Sequence, residues 1–403
     1  MRSNPLVDNR FEHAAALTGI GQSAVGRRLG RSSLNLTLEA CRTAIADAGL
    51  RSADIDGLST YPGGDPIATF GYGGPAVYDV QDALRLNLQW YQGAAELPGQ
   101  LGAIVAACMA IATGMARHVL VYRTVTESTA QGQSGRGSVL GADGASASGM
   151  GRWMAPFGGI SAANWLAPVA TRHFFDYGTT REQLAQIPLV QRRYAALNPN
   201  AALRTPLTLE DYLGARMISS PLCLFDCDIP VDGSTAVVVS QQECANDSRH
   251  GGVFFEAFGT ALRGRPSWDQ YDDMASMASQ GAAEQLWERS ALRPADVDVA
   301  QLYDGFSILA LVWLESLGFC GRGEAGPYLE GGQRISLGGE LPLNTGGGQL
   351  SGGRLHGYGL IHEAVTQLRG QATGRQVADA EVALVSNGGG PIAGAMTLTR
   401  ERP

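Results

Sequence analysis

Apolar residues at Leu34, Leu38, Cys41, Ile45 and Ala48 fall at helical spacing and stop at Gly49, a residue suited to the left-handed position after a helix, so the spacing predicts a helix ending there. Directly behind it comes Leu50-Arg-Ser-Ala-Asp-Ile-Asp-Gly-Leu-Ser-Thr-Tyr61. At a constant offset of 242 residues, Leu292-Arg-Pro-Ala-Asp-Val-Asp-Val-Ala-Gln-Leu-Tyr303 repeats six of its twelve positions. A predicted helix over 282–290 precedes this second copy as well. A later pair agrees: an apolar helix over 103–116 feeds the strand Val119-Leu-Val-Tyr122, and a helix over 357–368 feeds Val382-Ala-Leu-Val385. The chain therefore reads as a duplicated α/β unit. Each half runs strand, helix, strand, helix, strand, with helices crossing over between strands of a mainly parallel sheet. Stacking the halves buries helices between two sheets.

The polar stretch 244–252 has the composition of a linker and divides the chain into halves at 1–245 and 250–403. The first half carries an insertion over about residues 125–215. Its early part, 132–159, is rich in glycine and serine. A helix follows, with Thr179 and Thr180 as possible N-caps, Leu184, Ile187, Val190, Tyr194 and Leu197 along one face, and Pro188 predicting a kink. Inserted segments of this kind often cover a site, which places this one near a substrate entrance.

Composition narrows the chemistry. With 403 residues, 44% of them hydrophobic, the chain has ample material for a core and is not disordered. A net charge of −8 argues against nucleic acid and anionic membranes as partners. All 30 basic residues are arginine, which excludes Schiff-base chemistry, pyridoxal phosphate attachment and a P-loop, since each needs a lysine amine. Six cysteines in largely apolar neighbourhoods read as reduced thiols of a cytoplasmic protein. Cys223 and Cys227 have no second Cys or His pair nearby and read as structural thiols rather than zinc ligands. Residues 1–13 lack the apolar core of a signal peptide, and no apolar run approaches the roughly 18 residues of a membrane span.

Most motifs fail on context. Gly19-Ile-Gly21-Gln-Ser-Ala24 fits a dinucleotide fingerprint, but the next helix begins near Leu34 instead of at once. There is no G-x-S-x-G. His356 and His362 are six residues apart, nearly opposite in helical phase, and make no metal pair. Three segments remain: Tyr303-Asp-Gly-Phe-Ser307, the run Asn344-Thr-Gly-Gly-Gly-Gln-Leu-Ser-Gly-Gly-Arg-Leu-His-Gly-Tyr-Gly359, and Ser386-Asn-Gly-Gly-Gly390. All three sit where a strand or loop feeds a helix or hairpin, the edge at which α/β sheets bind ligands. Each is either a tight turn or part of one converging site.

From Ala16-Leu-Thr-Gly-Ile-Gly21 through Pro221-Leu-Cys-Leu-Phe-Asp-Cys-Asp-Ile-Pro-Val-Asp-Gly233 to the last glycine run, the chain resembles the thiolase superfamily, in its lipid-transfer branch that includes the thiolase domain of sterol carrier protein X. The resemblance implies the duplicated five-layer αβαβα fold with an inserted loop subdomain. It also implies a homodimer paired through the third strands of the first halves, here near Val119 to Tyr122. True thiolases carry a nucleophilic cysteine at the start of a buried helix, where the dipole lowers a thiol pKa. This chain has Leu97-Pro-Gly-Gln100 there, and Cys108 lies in mid-helix. The Asn-Glu-Ala-Phe box falls on Tyr303-Asp-Gly-Phe306, the Gly-His-Pro box on Gly352-Gly-Arg354, and the second cysteine on Ser386.

These replacements are similar to those of the lipid-transfer-protein-like aldolases of steroid side-chain degradation. That group implies acid–base work by two tyrosines, here Tyr303 and Tyr358, with Asp304 and His356 beside them. Gly347, Gly348, Gly388, Gly389 and Arg354 become substrate-binding candidates. It also implies a small partner with an OB-fold and a zinc ribbon, giving an α2β2 heterotetramer, with no metal and no covalent cofactor in this subunit and with CoA as part of the substrate. The chemistry holds by itself. A tertiary β-hydroxyl can be neither oxidised to a ketone nor thiolysed, so retro-aldol cleavage to a ketone and a short acyl-CoA is what remains. That reaction needs a base, donors for the thioester enolate and an acid. A tyrosine serves as base only where neighbours favour its phenolate, for which Arg354, His356 or the following helix dipole are candidates. Arg192-Arg193 is a candidate for the CoA phosphates. Two competing readings are a thiolase-type acyltransferase and a non-catalytic acyl-CoA or lipid carrier.

Overall fold

A computed structural model of the chain describes residues 10–63, 71–93, 101–134, 155–159, 161–263 and 273–403. The first half runs β1 (Ala15–Gln22), α1 (Ser33–Asp47), β2 (Gly57–Thr60), α2 (Val77–Leu84), β3 (Trp90–Gln92), α3 (Gly102–Ala112), β4 (His118–Thr126) and α4 (Glu127–Ser134). The insertion adds α5 (Ala162–Tyr177), α6 (Arg181–Leu184), α7 (Gln186–Leu197), α8 (Leu209–Leu213) and a ribbon of β5 (Met217–Ser219) and β6 (Leu222–Cys223), after which β7 (Asp232–Gln241) returns to the sheet. The second half runs β8 (Val253–Leu262), α9 (Ala278–Arg289), β9 (Val299–Gln301), α10 (Ser307–Ser316), α11 (Ala325–Leu329), α12 (Tyr358–Leu368), β10 (Val382–Gly388) and β11 (Ile392–Thr399).

The strands form one hydrogen-bonded sheet in the order β3-β2-β4-β7-β1-β8-β11-β10-β9. The order β2-β4-β7-β1 is mirrored by β9-β10-β11-β8, so the repeat seen in the sequence is a pseudo-two-fold about the β1–β8 contact. The expected mainly parallel sheet needs correction. Among the described strands only β2 with β3, β2 with β4, and β9 with β10 pair in parallel. The last strand of each half, β7 or β11, inserts against the common direction between the parallel run and the first strand, and so makes both its ladders antiparallel.

Five layers follow from the packing. The inner faces of α3 and α12, including Ile104, Ala107, Cys108, Ile361, Ala364 and Val365, share one core with residues of β1, β4, β7, β8, β10 and β11, so these two helices lie between the halves of the sheet. Ala40, Cys41, Ala44 and Ile45 of α1 cover the outer face of the first half. α9, α10 and the insertion helices cover the outer face of the second. Side chains at Gly19 and Gly21 would run into the Ala44 and Ala40 carbonyls of α1, so those glycines serve close strand–helix packing. In the insertion, Thr180 caps α6 by accepting from Gln183 N at 3.2 Å, while Thr179 Oγ1 pairs with His173 Nδ1 at 3.0 Å. The helix breaks at Ala185 because Pro188 has no N–H for the Leu184 carbonyl one turn back. Ile187, Val190 and Tyr194 are buried as expected, but Leu197, at the last position of α7, is exposed.

The strand named for dimer pairing is also corrected. β4 is hydrogen-bonded to β2 on one side and β7 on the other, so Val119 to Tyr122 have no open edge. Among the described residues the edge strand of the first half is β3.

Candidate active site

Tyr303 follows the end of β9, and its position is set through the backbone. Leu302 N donates to Asn344 Oδ1 at 2.7 Å, Asn344 Nδ2 donates to Leu302 O at 2.9 Å, and Tyr303 N donates to Ser386 Oγ at 2.9 Å. Ser386, at the place of a thiolase's second cysteine, thus holds the tyrosine's main chain. Asp304 points the other way: its carboxyl accepts from Gln349 N at 2.9 and 3.0 Å and from Leu350 N at 3.3 Å. Burial pushes that carboxyl up to about 7 although these N–H groups oppose the shift. Its contacts tie the Tyr303 turn to the glycine run.

The run itself coils into a π-helical turn over Gly348–Gly352, with Gly347 and Gly348 entering it at φ of 101° and 57°. The insertion buttresses it. Arg192 Nε donates to Ser351 Oγ at 2.8 Å, Leu203 N to Ser351 O at 2.9 Å, and Asn198 Nδ2 to Gly346 O at 2.8 Å. Gly388 ends β10 and Gly389 starts the turn to β11; the Gly388 carbonyl accepts from Trp313 Nε1 at 3.1 Å and Gly389 N donates to Ile392 O at 3.0 Å.

Arg354 is committed to the protein. Its Nε and a terminal nitrogen lie 2.9 and 2.7 Å from Glu127 Oε2, and its other terminal nitrogen lies 3.2 Å from Asp228 Oδ2. Burial alone would raise the Glu127 carboxyl, but the Arg354 charge and the His356 contact more than offset it and hold it at about 2. His356 takes the left-handed backbone at φ 50°, sets its ring edge-on to Tyr72 at 4.5 Å, and brings Nε2 to 3.6 Å from Glu127 Oε2. Burial, assisted by the Arg123 charge, lowers the imidazole to about 4, so it is neutral at pH 7.

Tyr358 opens α12, fully buried, with no hydrogen-bond partner for its hydroxyl among the described residues, and burial holds its phenol well above the ordinary range. The preceding Gly357 sits at φ 83° with its missing side chain facing the Asn387 amide, so any Cβ there would overlap Asn387 Nδ2. Gln349 joins the two tyrosines: its Oε1 accepts from Gly357 N at 3.2 Å, and its amide lies beside the Tyr303 hydroxyl, where it favours the phenolate. Burial and the Asp228 charge nevertheless hold the Tyr303 phenol well above its ordinary range. Among the described residues Asn387 Nδ2 is buried without a hydrogen-bond partner.

Sequence reasoning missed Arg123, Tyr61, Tyr72, Gln349 and Asn387. Arg123 is fully buried in β4, its guanidinium carbon 5.0 Å from the Tyr72 ring centre and 5.6 Å from that of Tyr61. Two signals were present: an arginine in the middle of an otherwise apolar and hydroxyl-bearing strand, and Tyr61 as the repeat partner of Tyr303. Cys108, by contrast, is sealed in mid-helix, and burial pushes its thiol well up. The thiolase nucleophile position, residues 97–100, lies outside the described residues, as does the glycine-rich 135–154 of the insertion.

Beside the glycine run a cleft of about 350 Å³ has Asp228 and Leu350 in its wall and Arg27, Arg28, Arg192 and Phe225 around it. Arg192 and Phe225 continue into a shelf of about 400 Å³ that adds Arg216. The Arg192 guanidinium stacks on Phe225 at 5.8 Å, while Arg193 turns away to Ser336 Oγ at 3.2 Å. Asp228 therefore stands between this arginine-lined cleft and the buried Arg354 and Tyr303.

A sequence profile described as "Thiolase C-terminal domain-like" matches residues 262–401. The chain is 36% identical over 398 residues to a "Steroid side-chain-cleaving aldolase" of Thermomonospora curvata, covering 96% of this chain and 98% of that one. It is 36% identical over 390 residues to the "17-hydroxy-3-oxo-4-pregnene-20-carboxyl-CoA lyase" of Mycobacterium tuberculosis, covering 93% and 96%. A solved structure titled "Ltp2-ChsH2(DUF35) aldolase" superposes with a TM-score of 0.84 at 33% identity, covering 98% of this chain and all of that one.

Proposed function

The chain belongs to the thiolase superfamily, in the lipid-transfer branch with the steroid side-chain-cleaving aldolases, and as a carbon–carbon lyase of that branch we propose that it cleaves a β-hydroxyacyl-CoA carrying a steroid side chain. In the proposed cycle one tyrosinate takes the proton of the tertiary β-hydroxyl. The Cα–Cβ bond then breaks as the ketone carbonyl forms, and its electron pair passes into the thioester as an enolate. A second tyrosine protonates the enolate at Cα, releasing a short acyl-CoA. The observation that carries this reading is the Gln349 bridge, which sets the Tyr303 hydroxyl and the start of the Tyr358 helix around one side chain. Asn387 Nδ2 is a fixed donor of the kind a developing enolate oxygen requires. In this scheme Asp304 and Arg354 position the site, and neutral His356 packs against Tyr72.

The cleft of Arg27, Arg28, Arg192 and Arg216 gives an acidic chain without lysine a local positive lining for the CoA phosphates. A small OB-fold and zinc-ribbon protein completes the acyl-CoA site in the proposed assembly, supported by the two components named in the solved relative's title. The homodimer is proposed to form along the β3 edge. An acyl-enzyme route finds no support at Cys108, whose thiol is buried and fully protonated at neutral pH.

The test is turnover of a tertiary β-hydroxyacyl-CoA by the chain with its partner, following ketone and acyl-CoA together. Tyr303→Phe and Tyr358→Phe are each expected to lose about 10²–10⁴ in kcat while melting like the parent. Parent-like cleavage by both variants would sink the tyrosine mechanism.

A further inference from the structure

Asp226, on the segment that leaves β6, is fully buried, and its carboxyl group takes donors from two separate parts of the fold. Within the insertion, the Tyr212 hydroxyl of α8 lies 2.8 and 2.9 Å from its two oxygens, and Cys223 N donates to Oδ2 at 2.7 Å. From the second half, Ser307 Oγ donates to Oδ1 at 2.5 Å. Ser307 is the first residue of α10 and directly follows Tyr303-Asp-Gly-Phe306, so this contact joins the insertion to the turn that carries Tyr303. A carboxyl group at that place also faces the positive end of the α10 dipole.

The chain beyond Asp226 continues the join through its backbone. Cys227 pairs with Phe306 as an antiparallel bridge, and Asp228 N donates to Gly305 O at 3.1 Å. Ile229 N then donates to Gln349 O at 3.2 Å and Arg354 N to Ile229 O at 2.9 Å, which carries the same strap onto the glycine run. The Tyr303 ring lies over Gly305: a Cβ there would come within 3.0 Å of the ring and 3.5 Å of its hydroxyl. The residue whose carbonyl Asp228 N holds is therefore the floor beneath that phenol. On its other side the strap is a wall of the arginine-lined cleft, to which Leu224, Phe225, Cys227, Asp228, Ile229 and Pro230 all contribute, while Asp226 turns inward.

We propose that Asp226 is a positioning residue: by tying Ser307 to the insertion it fixes the Tyr303 hydroxyl relative to the cleft, so that the wall that receives the substrate and the phenol that exchanges its proton are held as one piece. It touches no reacting atom itself. The proposal rests on the two-tyrosine reading, and its test separates the two. Ser307→Ala removes only the contact across the join and leaves the Tyr212 and Cys223 bonds in place. Ser316→Ala, at the opposite end of α10 from Tyr303, removes a comparable buried contact, 2.8 Å to Ser279 Oγ. In turnover of a tertiary β-hydroxyacyl-CoA by the chain with its partner, Ser307→Ala is expected to lose about tenfold or more in kcat with KM within about twofold, and Asp226→Asn about 10²-fold, because a small misplacement of a proton-transferring group is costly. Ser316→Ala is expected to lose as much in Tm as Ser307→Ala while keeping the parent's kcat. A 3-fluorotyrosine placed at 303 reports the displacement without turnover: its ¹⁹F resonance in the intact complex is expected to shift in Ser307→Ala and Asp226→Asn and to stay in Ser316→Ala. A resonance that ignores Ser307→Ala, or a loss of kcat that Ser316→Ala matches, overturns the proposal. If the resonance shifts as expected while Tyr303→Phe still cleaves, the acid–base reading falls and the Asp226–Tyr303 link stands.

Discussion

Replacing Arg354 by glutamine separates two readings of that residue. If its guanidinium served to bind an anionic substrate group, the variant would raise KM and leave the fold alone. Its contacts say otherwise, since all its polar reach goes to Glu127 and Asp228. Removing it leaves two buried carboxylates facing each other, a loss of about 3–5 kcal/mol. The linkage of Glu127 gives the same scale. Its folded pKa of about 2 lies below an ordinary carboxyl near 4.5, a difference equal to about 3 kcal/mol of stability. The sign is distinctive. In the parent this stability is present above pH 4.5 and is lost as pH falls toward 2. In Arg354→Gln the Glu127 carboxyl rises above its unfolded value, so that variant gains stability as the medium is acidified from pH 8 to pH 5. Thermal melts at both pH values measure this directly, and Glu127→Gln added to Arg354→Gln should recover a large part of the loss. A variant that melts like the parent at pH 8 yet shows a large increase in KM would refute the assignment.

Three further outcomes follow from the same geometry. Gly357→Ala should lose at least about tenfold in kcat, because a side chain in the left-handed region costs about 1–2 kcal/mol and the Cβ must displace Asn387 and the start of α12; normal cleavage would show that this turn does not hold Tyr358 in place. Cys108→Ala should keep cleavage within a few-fold at a cost of about 1 kcal/mol in stability, and an acyl adduct recovered on Cys108 would revive acyl-enzyme chemistry. His356 has a folded pKa of about 4, below its unfolded 6.5, so it contributes about 3 kcal/mol that is present above pH 6.5 and lost toward pH 4; His356→Asn should flatten the acid limb of the stability curve, and an unchanged limb would contradict the buried neutral imidazole.

Much of the architecture was legible because it rests on local periodicity. The α1 stripe ending at Gly49, the α12 run and the repeat at offset 242 record which faces are buried, and those faces build the layers. Strand order was not legible. Nothing in the apolar run of β7 says that it inserts between β4 and β1, and that insertion turned the expected parallel ladders antiparallel and closed the edge assigned to dimer pairing. At the site, the glycine run and Tyr303 stood out because turns need particular residues. The partners of Arg354 were invisible because Glu127 and Asp228 lie 227 and 126 residues away in the chain.

The duplication also explains why three of the missed residues, Arg123, Tyr61 and Tyr72, came from the other half. Tyr61 and its repeat partner Tyr303 lie close enough for their charges to interact. One copy keeps its tyrosine beside Asp228 and Gln349 at the reacting end, whereas the other has turned its tyrosine into half of the clamp on Arg123. A motif search confined to the second half therefore finds Tyr303 and Tyr358 but not Arg123, Tyr61 and Tyr72.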